Sequence, residues 1–209
     1  MRIGVFGGTF DPVHLGHLIL AEQCREQAKL DQVLFVPAAR PPHKQDQSLT
    51  PFAHRVDMLR LAVAGHPVFQ IDELEKNRSG LSYTADTLEE LHRREPEGEL
   101  WLMVGSDCLP DIPGWHEPAR MVASAGLLIV ARPNSQIWSP AELRTNLRLS
   151  AKQELRYQTV EMPLIDISSR DLRCRVAEGR SIRYLVPRAV ECYIETHVLY
   201  VRDGQPAAD

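Results

Sequence analysis

Five short runs rich in Val, Ile and Leu, at residues 3–6, 33–36, 68–71, 100–104 and 127–130, punctuate the chain, and stretches with helical spacing lie between them. Continuous apolar runs of this length read as strands buried on both faces. Strands that alternate with helices make parallel βαβ units, so the expected fold is α/β with a doubly wound parallel sheet. At 209 residues the chain can bury one substantial core. A single domain is expected, with the sheet within residues 1–165, a small helical portion over 166–201 and a polar tail at 202–209.

Helix ends are legible from their chemistry. The first helical stretch covers 18–29. Thr50 can cap a helix that Pro51 opens and Gly65 stops, giving 51–63. Another starts at Thr84 or Asp86 and runs to Arg94. Residues 138–158 read as helix and linker, 159–165 as a last strand, 169–178 as a short helix ended by Gly179, and 187–197 as a final helix begun by Pro187.

The run Gly7-Gly8-Thr9-Phe10-Asp11-Pro12-Val13-His14-Leu15-Gly16-His17 follows the first strand and ends where a helix begins. Adjacent glycines let the backbone approach a ligand closely, with no Cβ to meet phosphate oxygens. His14 and His17, three apart, share a helix face beside unpaired N–H groups and the positive end of the dipole. The run reads as a phosphate site. No G-x-x-x-x-G-K-[ST] occurs and no G-x-G-x-x-G follows the first strand, which argues against a P-loop NTPase and the usual dinucleotide dehydrogenase.

Ligands of doubly wound sheets sit beyond the carboxyl ends of the strands, and chemistry-bearing residues recur there. The second strand leads into a long polar loop, 37–50, stiffened by Pro37, Pro41 and Pro42 and carrying Arg40, His43 and Lys44; loops this long are often functional. Lys44 can reach a phosphate, whereas Arg40 reads better as a solvated charge. Gly105-Ser106-Asp107 follows the fourth strand and Arg132-Pro133 the fifth. Asp107 can accept bonds from ribose hydroxyls or cap the short helix after Gly105. Trp115, in a turn-rich loop, is suited to stacking on a flat ring. Ser168 and Ser169 open a helix that brings Arg173 round one turn later, which fits either a second anion site or a capped surface helix.

Composition narrows the partners. A net charge of −4 and a pI near 6.1 leave no general polyanion surface, so phosphate binding must be local. Cys24, Cys108, Cys174 and Cys192 form no C-x-x-C pair, and reduced thiols are expected. No apolar stretch matches a signal peptide or a membrane span, and a cytoplasmic protein is expected.

In the 7–17 run, 37–44, His54-Arg55-Val56-Asp57-Met58-Leu59, Ser82-Tyr83-Thr84-Ala85-Asp86-Thr87-Leu88, Gly105-Ser106-Asp107, Trp115 and 167–173, the chain closely resembles the bacterial nicotinate-nucleotide adenylyltransferase family. That family lies within the nucleotidyltransferase superfamily bearing H-x-G-H, and the resemblance spans almost the whole chain. It implies a Rossmann-like fold and adenylyl transfer from ATP to nicotinate mononucleotide, giving nicotinate adenine dinucleotide and pyrophosphate in NAD synthesis. It also implies Mg²⁺ held mainly by ATP phosphates and water, with no protein metal ligand. The expected partners are these two substrates, without nucleic acid or membrane, for a monomer or homodimer.

Carried over by resemblance, His14, His17 and Arg173 are the catalytic set. Gly7, Gly8, Thr9, Phe10, Lys44, Asp107, Ser168 and Ser169 join them around ATP. Gly8, Lys44, Tyr83, Thr84, Asp107, Trp115 and Arg132 would hold the mononucleotide, with the pyridine carboxylate on backbone N–H groups at Tyr83 and Thr84. The mononucleotide phosphate can attack the α-phosphorus directly, so no protein nucleophile is needed. Arg170 stands where the family usually has threonine. Adenylyl transfer to nicotinamide mononucleotide, or to both acceptors, is the nearest rival; a non-catalytic nucleotide sensor on the same fold is the rival from another class.

Overall fold

The computed structural model describes residues 1–44, 48–131 and 135–201, with the Lys44 side chain excepted. Six strands, β1 (Arg2–Gly8), β2 (Gln32–Pro37), β3 (Phe69–Ile71), β4 (Glu99–Gly105), β5 (Gly126–Val130) and β6 (Tyr157–Val160), form one sheet. Their order is β3-β2-β1-β4-β5-β6, and every neighbouring pair is parallel. The expected doubly wound α/β sheet is present. The order reverses between β1 and β4, where Val5 pairs with Leu34 on one side and Leu102 on the other.

Strand side chains alternate between two cores. Phe6, Val33, Phe35, Met103, Leu128 and Val130 face one cluster, which takes in Leu20 of α1 (Leu15–Gln27), Met58 of α2 (Phe52–Val63), Leu172 of α6 (Ser169–Ala177) and Val190 of α7 (Arg188–Thr196). Ile3, Val5, Leu34, Val36, Leu102 and Ile129 face the other, with Leu88 of α3 (Thr84–Arg94), Met121 of α4 (Pro118–Ser124) and Leu143 of α5 (Pro140–Asn146). Both faces of the sheet are covered, which is why the inner strands carry no polar alternation.

Several element ends differ from the sequence reading. Helix α1 starts at Leu15, not at residue 18, because the His14 N–H donates to His17 Nδ1 at 3.2 Å; histidines do the work of a capping box. It ends at Gln27 in a Schellman turn through Lys29, whose φ is +51°. Pro51, not Thr50, is the N-cap of α2, and Gly65 turns the chain beyond it with φ +83°. Helix α3 starts at Thr84 after the N-cap Tyr83.

The stretch 138–158 supplies only the seven-residue α5, capped by Ser139, and then the beginning of β6. That last strand lies at Tyr157–Val160 rather than 159–165. It is an edge strand with polar outward residues, so its start carries no apolar signal, and Pro163 has no N–H to extend a ladder. The short helix expected after Gly105 is present as a 3₁₀ segment, Ser106–Gly114, whereas helix α4 carried no signal that the sequence reading used. Gly179 ends α6 as expected, in a Schellman pair: its N–H donates to the Val176 carbonyl and that of Arg180 to the Arg175 carbonyl.

Candidate active site

The carboxyl ends of β1, β2 and β4 open onto a cleft of about 520 Å³ at the point where strand order reverses. Gly7, Gly8 and Thr9 form one wall. Ser82, Tyr83 and Thr84, at the start of α3, form another, and Trp115 with His116 a third. Trp115 is only partly buried against the core, and the Tyr83 ring stacks on His116 with centroids 4.2 Å apart. Two aromatic faces and the N-terminus of an 11-residue helix therefore share one opening.

Ser82 fixes that wall. Its hydroxyl accepts the N–H groups of Ala39 and Arg40 at 3.1 and 2.9 Å, and its own N–H donates to the Arg40 carbonyl at 2.9 Å. The buried Glu75 braces the same corner: it accepts the Thr87 hydroxyl at 2.5 Å and the Ala39 N–H at 3.3 Å. The loop after β2 and the start of α3 are thus one hydrogen-bonded unit.

His14, His17, Ser169 and Arg173 form a second group along the Asp11-Pro12 stretch. The His14 and His17 rings stack with centroids 3.7 Å apart. Arg173 donates to the Asp11 carbonyl at 2.7 Å and the Ser169 hydroxyl to the Pro12 carbonyl at 2.8 Å. The H-x-G-H spacing has a local reason: a Cβ on Gly16 would lie 3.1 Å from His14 Nδ1, so the missing side chain leaves the imidazole its place.

Some expected ligands prove to have structural duties. The Phe10 side chain is 1% exposed and lies in the core, edge-on to His17 at 5.1 Å; the left-handed turn at Phe10, φ +49°, sends it there. The Ser168 hydroxyl caps α6 through the Asp171 N–H at 3.1 Å. Asp107 is exposed, and it lies within the first turn of the 3₁₀ segment whose N-cap is Gly105, so it is not the cap. Arg170 is exposed at the start of α6. The Lys44 side chain, Arg132 and Pro133, and the tail at 202–209, lie outside the described residues.

The residues that sequence reasoning missed lie one layer down. Arg55, 1% exposed, donates to the carbonyls of Thr9, Ala38 and Thr50. Burial lowers its pKa, and the negative charge of Asp11 works in the opposite direction. Asp11, 0% exposed, accepts the Tyr200 hydroxyl at 2.7 Å and the Thr50 N–H at 3.3 Å. Burial, then the charge of Asp11, pushes the Tyr200 phenol far above its usual range. A signal for Arg55 existed: it lies three and four residues before Met58 and Leu59, both fully buried, on the apolar stripe of α2.

Among the described residues no helix is long and apolar enough to cross a membrane. The chain matches the cytidylyltransferase-like family over residues 5–175. A curated relative from Thermus thermophilus, named "Probable nicotinate-nucleotide adenylyltransferase", is 47% identical over 200 residues, covering 96% of this chain and all of its own length. One of the same name from Thermomicrobium roseum is 46% identical over 199 residues, covering 95% and 91%. Among solved structures, the Plasmodium falciparum nicotinic acid mononucleotide adenylyltransferase complexed with NaAD superposes with a TM-score of 0.77 at 22% identity, covering 95% of this chain and 97% of that one. With this sheet order, this cleft and these relatives, the chain belongs to the cytidylyltransferase-like family and, within it, to the nicotinate-nucleotide adenylyltransferases.

Proposed function

We propose that the site transfers the adenylyl group of ATP to nicotinate mononucleotide by direct in-line attack. A phosphate oxygen of the mononucleotide attacks the α-phosphorus, the new P–O–P bond forms, and the bond to the leaving pyrophosphate breaks. The observation that carries this reading is the meeting of two unlike half-sites at one glycine run: an aromatic cleft from Gly7 to Trp115, and a polar group of His14, His17 and Arg173. The relatives' names and the solved relative's complex with NaAD support the same assignment.

In this reading His14, His17, Lys44 and Arg173 meet the polyphosphate of ATP, and Gly7, Gly8 and Thr9 let it approach the backbone. Ser168 and Ser169 shape the start of α6 beside it, and Asp107 stands near the junction of the substrates. Tyr83 and Thr84, where no side chain caps α3, receive the pyridine carboxylate: Thr84 offers a first-turn N–H, whereas the Tyr83 N–H donates to the Leu81 carbonyl at 3.2 Å and would have to exchange that partner for the ligand. Trp115 stacks on the ring and Arg132 faces the mononucleotide phosphate. Holding two reactants in line contributes about 7–11 kcal/mol to lowering the barrier, and donors aimed at the developing charge add several more.

Among the described residues no cluster of three or more His, Cys, Asp or Glu is placed to hold a metal ion. In this reading Mg²⁺ arrives on the ATP phosphates and keeps water ligands, and it would supply charge neutralisation on the polyphosphate. The reading places the protein in the cytoplasm, as monomer or homodimer. The test is pyrophosphate release from ATP and Mg²⁺ with either mononucleotide. Release with the acid mononucleotide is expected. No release with either would favour a nucleotide sensor, and equal release with the amide would replace the acid-specific reading by a dual one.

A further inference from the structure

Arg55 lies on α2, outside the cleft, yet its three carbonyl acceptors belong to three segments that build the site. Thr9, at 2.8 Å, is in the glycine run; Ala38, at 2.9 Å, follows β2 and lines the cleft; Thr50, at 2.9 Å, ends the long loop that carries Lys44. None of the three is a ladder residue of the sheet interior. The same cation faces the buried Asp11, whose carboxylate holds Thr50 and Tyr200 and whose carbonyl takes Arg173.

A buried guanidinium is a poor way to gain stability. Its desolvation costs several kcal/mol, and an apolar side chain of similar size often does as well or better. What a planar, forked cation provides instead is direction: several acceptors must occupy fixed places to satisfy it. Here those places set the glycine run relative to the loop after β2.

We propose that Arg55 is a positioning residue for adenylyl transfer, fixing the relative placement of the 7–17 run and the loop after β2, with Tyr200 completing the lock through Asp11. This rests on the proposed placement of the reacting groups at the histidine run. Alignment carries most of the rate in an in-line displacement that needs no protein nucleophile, so a small shift between these walls lowers turnover more than binding.

The test compares Arg55→Lys and Tyr200→Phe with the wild-type protein, well below their melting temperatures, with activity counted per folded molecule. Arg55→Lys keeps the charge, but its donors all sit on one nitrogen and cannot reproduce the spread of the guanidinium's Nε and Nη1 toward the three carbonyls. Its kcat is expected to fall at least about thirtyfold with both KM values within about threefold. Tyr200→Phe loses one hydroxyl and is expected to lose about three- to tenfold in kcat. Amide exchange is read in parallel: it should quicken at residues 7–17 and 38–43 while β5 stays protected. Wild-type kcat in folded Arg55→Lys overturns the proposal. If that variant does not fold, Tyr200→Phe decides, and kcat within a factor of about two of wild type, with unchanged exchange, overturns it. If the wild-type protein releases no pyrophosphate while the variants still show these local exchange changes, the lock is upheld and the functional reading is overturned.

Discussion

The imidazoles of His14 and His17 stack with their planes 27° apart, and the buried Phe10 ring meets His17 edge-on at 5.1 Å. His17 packs against a second histidine and a buried ring, so its direction is set before any ligand arrives.

A donor held in this way acts on charge that builds during transfer rather than on ground-state binding. His17→Ala should lower kcat at least about a hundredfold, near 2.7 kcal/mol, with the KM for ATP changed by no more than about fivefold. Steady-state kinetics with nicotinate mononucleotide would check this, and near-normal turnover would remove His17 from the catalytic set.

Ser82 offers a contrasting case, because its hydroxyl holds two N–H groups of the loop after β2. Ser82→Ala leaves both without that acceptor, at a cost of about 1–3 kcal/mol. The loss should appear as a KM for the mononucleotide raised about tenfold, with the KM for ATP unmoved. An equal rise in both constants would mean that the wall does not serve the acceptor alone.

Alkaline stability has a definite sign. Burial pushes the Cys24 thiol from an ordinary value near 9 up to about 12, and Tyr200 lies above its ordinary value of 10. The folded chain keeps these protons after the unfolded chain has released them, so stability must fall as pH rises above about 9. Denaturant titrations between about pH 8 and pH 10.5 should show a shallower decline in Cys24→Ala and in Tyr200→Phe than in the wild type. Identical slopes would contradict the burial of both groups.

Gly126 faces its register partner Trp101 so closely that a Cβ would lie 2.7 Å from the indole ring. The ring cannot simply retreat, since Arg2 and Arg156 lie over it with centroid distances of 5.0 and 5.8 Å. Gly126→Ala should cost about 1–3 kcal/mol and lower the melting temperature by several degrees, without changing kcat at low temperature. A calorimetric scan that matched the wild type would show that the strands can part.

The sheet was legible because its inner strands are apolar throughout, and residues after their carboxyl ends pointed to the cleft. Strand β6 was misplaced because Tyr157, Gln158 and Thr159 at an edge look like loop. The start of α1 was hidden because its capping partner is His17, a residue type outside the usual cap pattern. Phe10 looked like a ligand contact because nothing local reveals a left-handed turn at a phenylalanine. Arg55 acts on backbone groups 5, 17 and 46 residues away in sequence, and Tyr200 on a carboxylate 189 residues away. Such reach is a property of topology, which places the ends of β1 and β2 beside α2 and the C-terminal segment, and no local spacing records it.

The order of the chain has its own consequence for synthesis on the ribosome. Val160 closes the last strand, whereas Ser169, Arg173 and Tyr200, which fasten the Asp11-Pro12 stretch, come afterwards. A product that stops just after β6 therefore contains all six strands and none of these fasteners. In the proposed reading the site is therefore completed only after Tyr200 has been made, long after the histidines themselves.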